Sequence, residues 1–312
     1  MSFAFVFPGQ GSQSLGMMTA YGDEALIRTT FDEASQALGR DLWQLVRTGP
    51  AEALNETVNT QPVMLTADIA VWRLWRAKGG RLPAVVAGHS LGEYAALVAA
   101  EVLTLAEAVP LVQARAQAMQ RAVPVGAGAM AAILGLDAGR IGQLCAEQAG
   151  DEVVEPVNFN APEQTVIAGH KAAVERAAQA CKDAGAKRAV LLPVSAPFHC
   201  RLMQPAAEAL HAVLAGLTLG KPSLPVINNV DVAQPAEPEA IRAALVRQAA
   251  APVRWVETMR AMAAMGVQRV YECGPGKVLA GLVKRCSESM SGVPLNDLAA
   301  IEVALAQEKN GD

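Results

Sequence analysis

Histidine is scarce in this chain of 312 residues: there are four. Chemistry that needs an imidazole therefore has few places to go. Cysteine is sparse and scattered. Cys145, Cys181, Cys200, Cys273 and Cys286 form no CxxC spacing and are odd in number. This excludes a disulfide framework and a zinc ribbon, and it fits reduced thiols in a cytosolic protein. Aromatics make up 4% of the residues, so the many alanines must let helices pack closely on small side chains. Excess positive charge is absent. The net charge is -4, which gives no global reason to bind nucleic acid. Long apolar runs are missing too, because Glu93, Glu101 and Glu107 interrupt them, and no segment reads as membrane-spanning. The N-terminal "MSFAFVFPGQGSQ" carries no basic n-region, and its apolar run is too short for a signal peptide. Low-complexity tracts and solenoid repeats are also absent. A cytoplasmic, monomeric protein is the expectation.

More than half of the residues are hydrophobic and 18% are charged, enough for a large core and the reverse of a disordered composition. Residues 2–7, "SFAFVF", read as a buried strand closed by a Pro-Gly turn. Helical patterning follows from about 14 to 80, with loops expected near Gly49-Pro50 and Gln61-Pro62. Residues 84–87 read as a second strand and 91–103 as a helix. Thr104 and Glu107 then form a capping box before a further helix that contains Pro110. Between 125 and 195 the order becomes strand 127–136, helix 137–150, two strands around Asn160-Ala161-Pro162, helix 171–185 and strand 186–195. This β-α-β-β-α-β order is that of a ferredoxin-like unit. Strands near 224–230 and 267–276 alternate with helices in the remainder. The expected architecture is therefore α/β: a core of residues 1–124 and 196–312 around a mostly parallel sheet, with residues 125–195 as an inserted subdomain.

The motif with most chemical content is Gly88-His89-Ser90-Leu91-Gly92. Gly-x-Ser-x-Gly is common, but here a strand precedes it and a helix follows, as a nucleophile elbow requires. The alternative is an ordinary strand-to-helix turn with a serine cap. A serine hydroxyl needs a base. His89 adjoins Ser90 and should leave the turn in another direction. His170 lies at the edge of the insert, and His211 falls within a surface helix. His199 sits where the insert returns to the core, a natural wall of a cleft, and is the candidate base. The elbow offers the Leu91 N–H for an oxyanion hole, and the glycine-rich loop "FPGQGSQ" with Gln10 offers a second donor or is simply a tight turn. The loop has no GxxxxGK[ST] pattern and no lysine, which argues against a phosphate cradle. Cys200 reads as a passive thiol, and Met119, Met130 and Met203 as core filling.

"FPGQGSQ", "TQP" at 60–62, "GHSLGEY", the arginine of "QARAQAM", "PFH" and "CGPGKVL" occur in this order over nearly the whole chain. In that combination the sequence resembles the malonyl-CoA:acyl-carrier-protein transacylases, the bacterial type II fatty-acid-synthase member above all. The resemblance implies an α/β-hydrolase-like core with a ferredoxin-like insert. It implies Ser90 as acyl-accepting nucleophile and His199 as its base, with the ring oriented by a backbone carbonyl at Gln248 in place of an acidic third member. Gln10, through its backbone N–H, and Leu91 would form the oxyanion hole. Arg115 would bind the free malonyl carboxylate and Gln61 would line the same pocket; a guanidinium can grip such a group bidentately. Asn160, in the expected hairpin turn, is a candidate to face the cleft. The family often has Asn before the "PVRW" proline; here the residue is Ala251.

The implied reaction is two-step transfer from malonyl-CoA to the phosphopantetheine thiol of an acyl carrier protein, with coenzyme A thioester as substrate and no metal or redox cofactor. Such carriers are acidic, so Lys187, Arg188, Arg201, Lys277, Lys284 and Arg285 are candidates for a basic docking patch. Three other readings compete. A serine hydrolase or thioesterase is disfavoured because its triad order puts the histidine late, whereas over a hundred residues follow His199. The transacylase subunit of malonate decarboxylase shares the motifs. A non-catalytic acyl-binding module would not need Ser90.

Overall fold

The computed structural model describes residues 2–309. In the first stretch of core, β1 (Ser2–Phe7) leads through α1 (Ala25–Leu38), α2 (Leu42–Thr48), α3 (Ala51–Asn55) and α4 (Thr57–Ala77) to β2 (Val85–Gly88), α5 (Gly92–Ala99) and α6 (Leu105–Ala122). The inserted segment carries β3 (Gly128–Leu134), α7 (Ala138–Ala149), β4 (Val154–Ala161), β5 (Gln164–His170), α8 (Lys171–Asp183) and β6 (Arg188–Leu191). The chain then returns through α9 (Gln204–Ala215), β7 (Val226–Ile227), α10 (Pro238–Gln248), α11 (Trp255–Ala264), β8 (Val267–Glu272), α12 (Val278–Cys286), β9 (Ser291–Pro294) and α13 (Leu298–Lys309).

Two sheets result. The first has the order β7-β2-β1-β8-β9, and every pairing in it is parallel. Its central strands are buried along almost their whole length, as a sheet covered by helices on both faces demands. The second, order β4-β5-β3-β6, is antiparallel and is drawn entirely from the insert. Its β-α-β-β-α-β connectivity matches the ferredoxin-like order. The antiparallel sheet is tied to the core by a bridge between Asn158 of β4 and Val253, in the loop between α10 and α11, where Val253 N–H donates to Val157 O at 2.8 Å and Phe159 N–H to Val253 O at 3.0 Å.

The register of the parallel sheet positions the site. Phe7 stands opposite Gly88, so β1 and β2 end side by side and the loops after them leave from one edge. β7, paired Ala87 to Ile227, delivers Asn228 and Asn229 to that edge. Ligand sites of parallel sheets form there, at the carboxyl ends of the strands.

Three local expectations are corrected. Gln61-Pro62 is not a loop, because Pro62 lies inside α4. Proline there leaves the Val58 carbonyl without its helical donor. Arg40 Nη2 supplies one at 3.0 Å, which explains why the helix continues. The insert hairpin does not turn at Asn160-Ala161-Pro162, because β4 runs through Ala161 and pairs it with Gln164, leaving Pro162 and Glu163 as the turn. The helix after the elbow stops at Ala99 instead of Leu103, with Glu101 in the left-handed region at φ 63°. The sequence reading was silent on β9 and α13; β9 extends the parallel sheet beyond β8.

Candidate active site

Ser90 sits between β2 and α5 with φ 54°, a left-handed conformation strained for a residue with a Cβ. The flanking glycines are steric requirements. A Cβ on Gly88 would lie 1.9 Å from the Gly92 carbonyl, and one on Gly92 would lie 2.0 Å from Phe7 O. Asn229 holds the turn from below: its Oδ1 accepts from Ser90 N–H at 2.7 Å, and its Nδ2 donates to Gly88 O at 2.7 Å. The N–H groups of Gly92, Glu93 and Tyr94 close the first turn on the carbonyls of residues 89–91, a set of bonds in which the Leu91 N–H takes no part.

Of the four histidines, His199 reaches the serine. Its Nε2 lies 2.6 Å from Ser90 Oγ, and its Nδ1 lies 2.9 Å from the Gln248 carbonyl at the end of α10. A carbonyl can only accept, so Nδ1 carries the proton and Nε2 is left to accept from the hydroxyl. His199 is buried, at 3% exposure. Burial, helped by the nearby Arg115 charge, pulls its pKa down to about 3, so the ring is neutral at physiological pH and free to take a proton. The ring is held by the Gln248 carbonyl, a backbone group that does not depend on which side chain stands at Ala251. His89, on the other side of the turn, pairs with Asn160 Oδ1 at 2.8 Å and packs against Trp255.

Arg115 comes from the middle of α6 and is 2% exposed. Its Nη1 donates to Gln61 Oε1 at 2.8 Å; its Nη2 donates to Gln248 Oε1 at 3.0 Å and to Ser90 Oγ at 3.2 Å. The Tyr94 ring lies under the guanidinium, 5.3 Å from its centroid. A cation thus stands one hydrogen bond from the serine hydroxyl. Gln61 belongs to a chain of polar contacts that runs on to the β1 loop: Gln61 Nε2 to Thr57 Oγ1 at 3.4 Å, then Thr57 Oγ1 to Gln10 Oε1 at 2.6 Å.

These groups open into a cavity of about 530 Å³. Gln10, Gln61, Ser90, Leu91, Arg115, Met119 and His199 line it from the core side, and Met130, Asn158 and residues 192–194 from the insert and its exit. The expected site residues therefore converge, with two qualifications. Gln248 stands behind His199 as its support and is not part of the wall. Asn160 is also outside the lining: it falls at the irregularity of the β4 ladder between Phe159 and Ala161 and its side chain is held by the lining residue His89, while Asn158 lines the wall instead. Met119 and Met130 are buried, as core filling requires, yet both face the cavity. Cys200 is buried with its thiol pushed up to about 12 by desolvation, in keeping with a passive role.

Sequence reasoning missed Asn229, Thr57 and Glu93. Glu93 had a signal, a lone carboxylate in the apolar helix that follows the elbow. Its Oε2 accepts from Asn229 N–H at 2.9 Å and from Gln248 Nε2 at 3.0 Å. Burial pushes its pKa up to about 7. Asn229 and Thr57 are ordinary polar residues in sequence, and only the fold brings them to the site.

A strained serine at a helix start, a neutral histidine on its hydroxyl and a cation one bond away can make and break an acyl ester on Ser90. The chain belongs to the acyl transferase domain family, whose model matches residues 4–304. Its relatives include the malonyl CoA-acyl carrier protein transacylase of Salmonella typhimurium, 56% identical over 98% of this chain and 99% of that protein. That of Bacillus subtilis is 43% identical over 97% and 96%. Among solved structures, an acyl-carrier-protein S-malonyltransferase from Burkholderia pseudomallei superposes with a TM-score of 0.96 at 57% identity, covering 98% of this chain and all of the other. A malonyl-transacylase solved in complex with a type II polyketide acyl-carrier protein superposes with a TM-score of 0.97 at 52% identity, again over 98% and 100%. Among the described residues no helix is long and apolar enough to cross a membrane.

Proposed function

We infer that this chain moves the malonyl group of malonyl-CoA onto the phosphopantetheine thiol of an acyl carrier protein, through a malonyl ester on Ser90. The observation that carries the reading is the buried Arg115, with its Nη2 at 3.2 Å from Ser90 Oγ in the cavity. A thioester bound with its carbonyl at Ser90 leaves a terminal carboxylate within reach of that guanidinium. A neutral acyl group would enter the pocket without offering the guanidinium an acceptor, and Arg115 Nε already lacks one among the described residues.

Ser90 Oγ attacks the thioester carbonyl as His199 Nε2 takes its proton. The Gln248 carbonyl stabilises the imidazolium so formed through Nδ1–H. The developing oxyanion is received by the N–H groups of Leu91 and Gln10. Thr57 Oγ1 donates to the side-chain oxygen of Gln10 and so anchors the loop that carries its N–H. His199 returns the proton to the departing sulfur of coenzyme A. The carrier thiol then enters the same site, its sulfur attacks the ester carbonyl as His199 takes its proton, and the malonyl group leaves on that sulfur while His199 returns the proton to Ser90 Oγ. Neither half-reaction requires a metal or redox group. Gln61 orients Arg115 and lines the pocket, whereas Asn160 acts at one remove by fixing His89.

The core, residues 1–124 and 196–312, holds these groups, and the insert, residues 125–195, forms the opposite wall. For the carrier, Lys277, Lys284 and Arg285 are exposed around α12, while Lys187 and Arg201 are paired with Glu163 and Glu155. Reversing the charge at Lys284 and Arg285 should slow transfer to the carrier and spare loading from malonyl-CoA; equal losses in both would reject that surface. We take the protein to work as a cytoplasmic monomer. The deciding assay is coenzyme A release. Without carrier, one equivalent per enzyme should appear in a burst, with sustained turnover only when carrier is added. Sustained release without carrier, as fast as with it, would make the protein a hydrolase.

A further inference from the structure

A buried arginine needs an anion nearby, and Arg115 has none in direct contact. Its partners are two amide oxygens, a hydroxyl and a ring face. Among the described residues no carboxylate forms an ion pair with it. A negative charge is reached through a single amide. Gln248 Oε1 accepts from Arg115, and Gln248 Nε2 donates to Glu93 Oε2. The amide is aligned as a dipole between cation and anion, with each bond strengthening the other. Glu93 is 2% exposed, and water does not balance it.

We propose that Glu93 is the resident counter-charge of Arg115, and that it takes a proton from solvent when a substrate carboxylate fills the guanidinium clamp. This rests on the reading of Arg115 as that clamp. In the empty site, Glu93 balances Arg115 when it is ionised. With a malonyl carboxylate bound and Glu93 still ionised, two anions would share one cation in an enclosure that excludes water, an arrangement that burial makes costly. Protonating Glu93 restores the balance. A proton on Oε1 leaves both accepted bonds in place, because Asn229 and Gln248 both donate to Oε2. The elbow and the support of His199 are therefore undisturbed. Glu93 acts through Gln248 and is a positioning residue that sets specificity.

The groups facing Glu93 leave it as the one able to absorb the change. From α6 comes Arg115. From the loop after β7 comes Asp231, which is paired with Arg247 at the surface. His199 is neutral at pH 7 with a pKa of about 3, and Tyr94, next along α5, stays protonated with a pKa of about 12. Burial lowers the proton affinity of His89. Glu93, at about 7, is poised between its two forms.

The test uses Ser90→Ala protein, which binds malonyl-CoA without forming the ester. Calorimetric titrations at about pH 7 in phosphate and in Tris, buffers of different ionisation heat, give the protons exchanged on binding. Malonyl-CoA should take up more protons than coenzyme A, by up to about one, the excess being the fraction of Glu93 that is ionised in the empty site. The Ser90→Ala/Glu93→Gln protein should show no such excess. Independently, the affinity of the Ser90→Ala protein for malonyl-CoA, relative to coenzyme A, should fall by up to about tenfold per pH unit above pH 7, since binding that takes up protons weakens as they become scarce. This arm keeps the native Glu93 and decides the matter even if the double variant does not fold. If Arg115→Ala weakens malonyl-CoA binding but the proton excess and the pH dependence are absent, the Glu93 proposal is overturned and the clamp stands. If Arg115→Ala leaves malonyl-CoA binding unchanged, the clamp itself is wrong, and the proposal falls with it.

Discussion

The two sheets meet the same cavity in different ways. The parallel sheet ends in loops that carry Ser90 after β2, Gln10 after β1 and Asn229 after β7, with Arg115 and Gln248 from the helices packed around them; the base, His199, arrives on the segment that leaves the insert after β6 and is fixed to the core through the Gln248 carbonyl. The antiparallel sheet of the insert offers Met130 and Asn158, and its exit offers residues 192–194, none of them ionisable. Strand burial differs to match. β2 is buried throughout, whereas β4 is partly exposed at most positions. A sheet covered on both faces holds an elbow rigidly enough to keep a strained serine, and a half-covered one is suited to be a wall. On this view chemistry belongs to the core and substrate fit to the insert.

The sharpest way to break that division is Ser90→Ala, which should lower turnover by on the order of 10³-fold or more, measured as transfer to carrier. Next comes Arg115→Ala. Truncating a buried, hydrogen-bonded charge costs about 2–5 kcal/mol, so malonyl loading should drop by about 30-fold or more, while acetyl loading changes far less. A pH series gives a smaller effect. Because His199 titrates at about 3 instead of 6.5, kcat/KM for loading should not fall tenfold per unit between about pH 6.5 and 5, as it would for an ordinary imidazole base. The same depressed pKa makes the native state prefer the neutral ring. Its stabilisation is complete above about 6.5 and is lost as pH falls toward 3, so thermal stability should decline through that window. The smallest effect belongs to the insert. Asn158→Ala should raise KM for malonyl-CoA by about 3- to 10-fold, the worth of about one hydrogen bond, and leave kcat nearly unchanged. A large kcat loss there would mean that the insert takes part in the chemistry.

Much of this was legible in the sequence where local rules act alone. The elbow could be read because glycine is obligatory on both sides of Ser90, and the alternation of elements gave both sheets. What stayed hidden depends on distant partners. Pro62 reads as a break until Arg40, from the loop after α1, is seen to cap the stranded Val58 carbonyl. Asn160 reads as a turn residue until the β4 register and the His89 contact draw it into the strand. Arg115 reads as a solvated helix charge without the family resemblance, because nothing local marks it as buried. Glu93 was visible as an odd carboxylate in an apolar helix, but its role depends on Gln248, more than 150 residues away. Residue types and spacing define local geometry, and the charge network exists only across the fold.

The most direct measurement is the intact mass of the protein, and of its peptides, after mixing with malonyl-CoA and separately with acetyl-CoA. The account predicts one malonyl group on the peptide that contains Ser90, little or no acetyl group after acetyl-CoA, and removal of the malonyl group when carrier is added. An unmodified Ser90 in a preparation that turns over at full rate, or equal labelling by both donors, would contradict it.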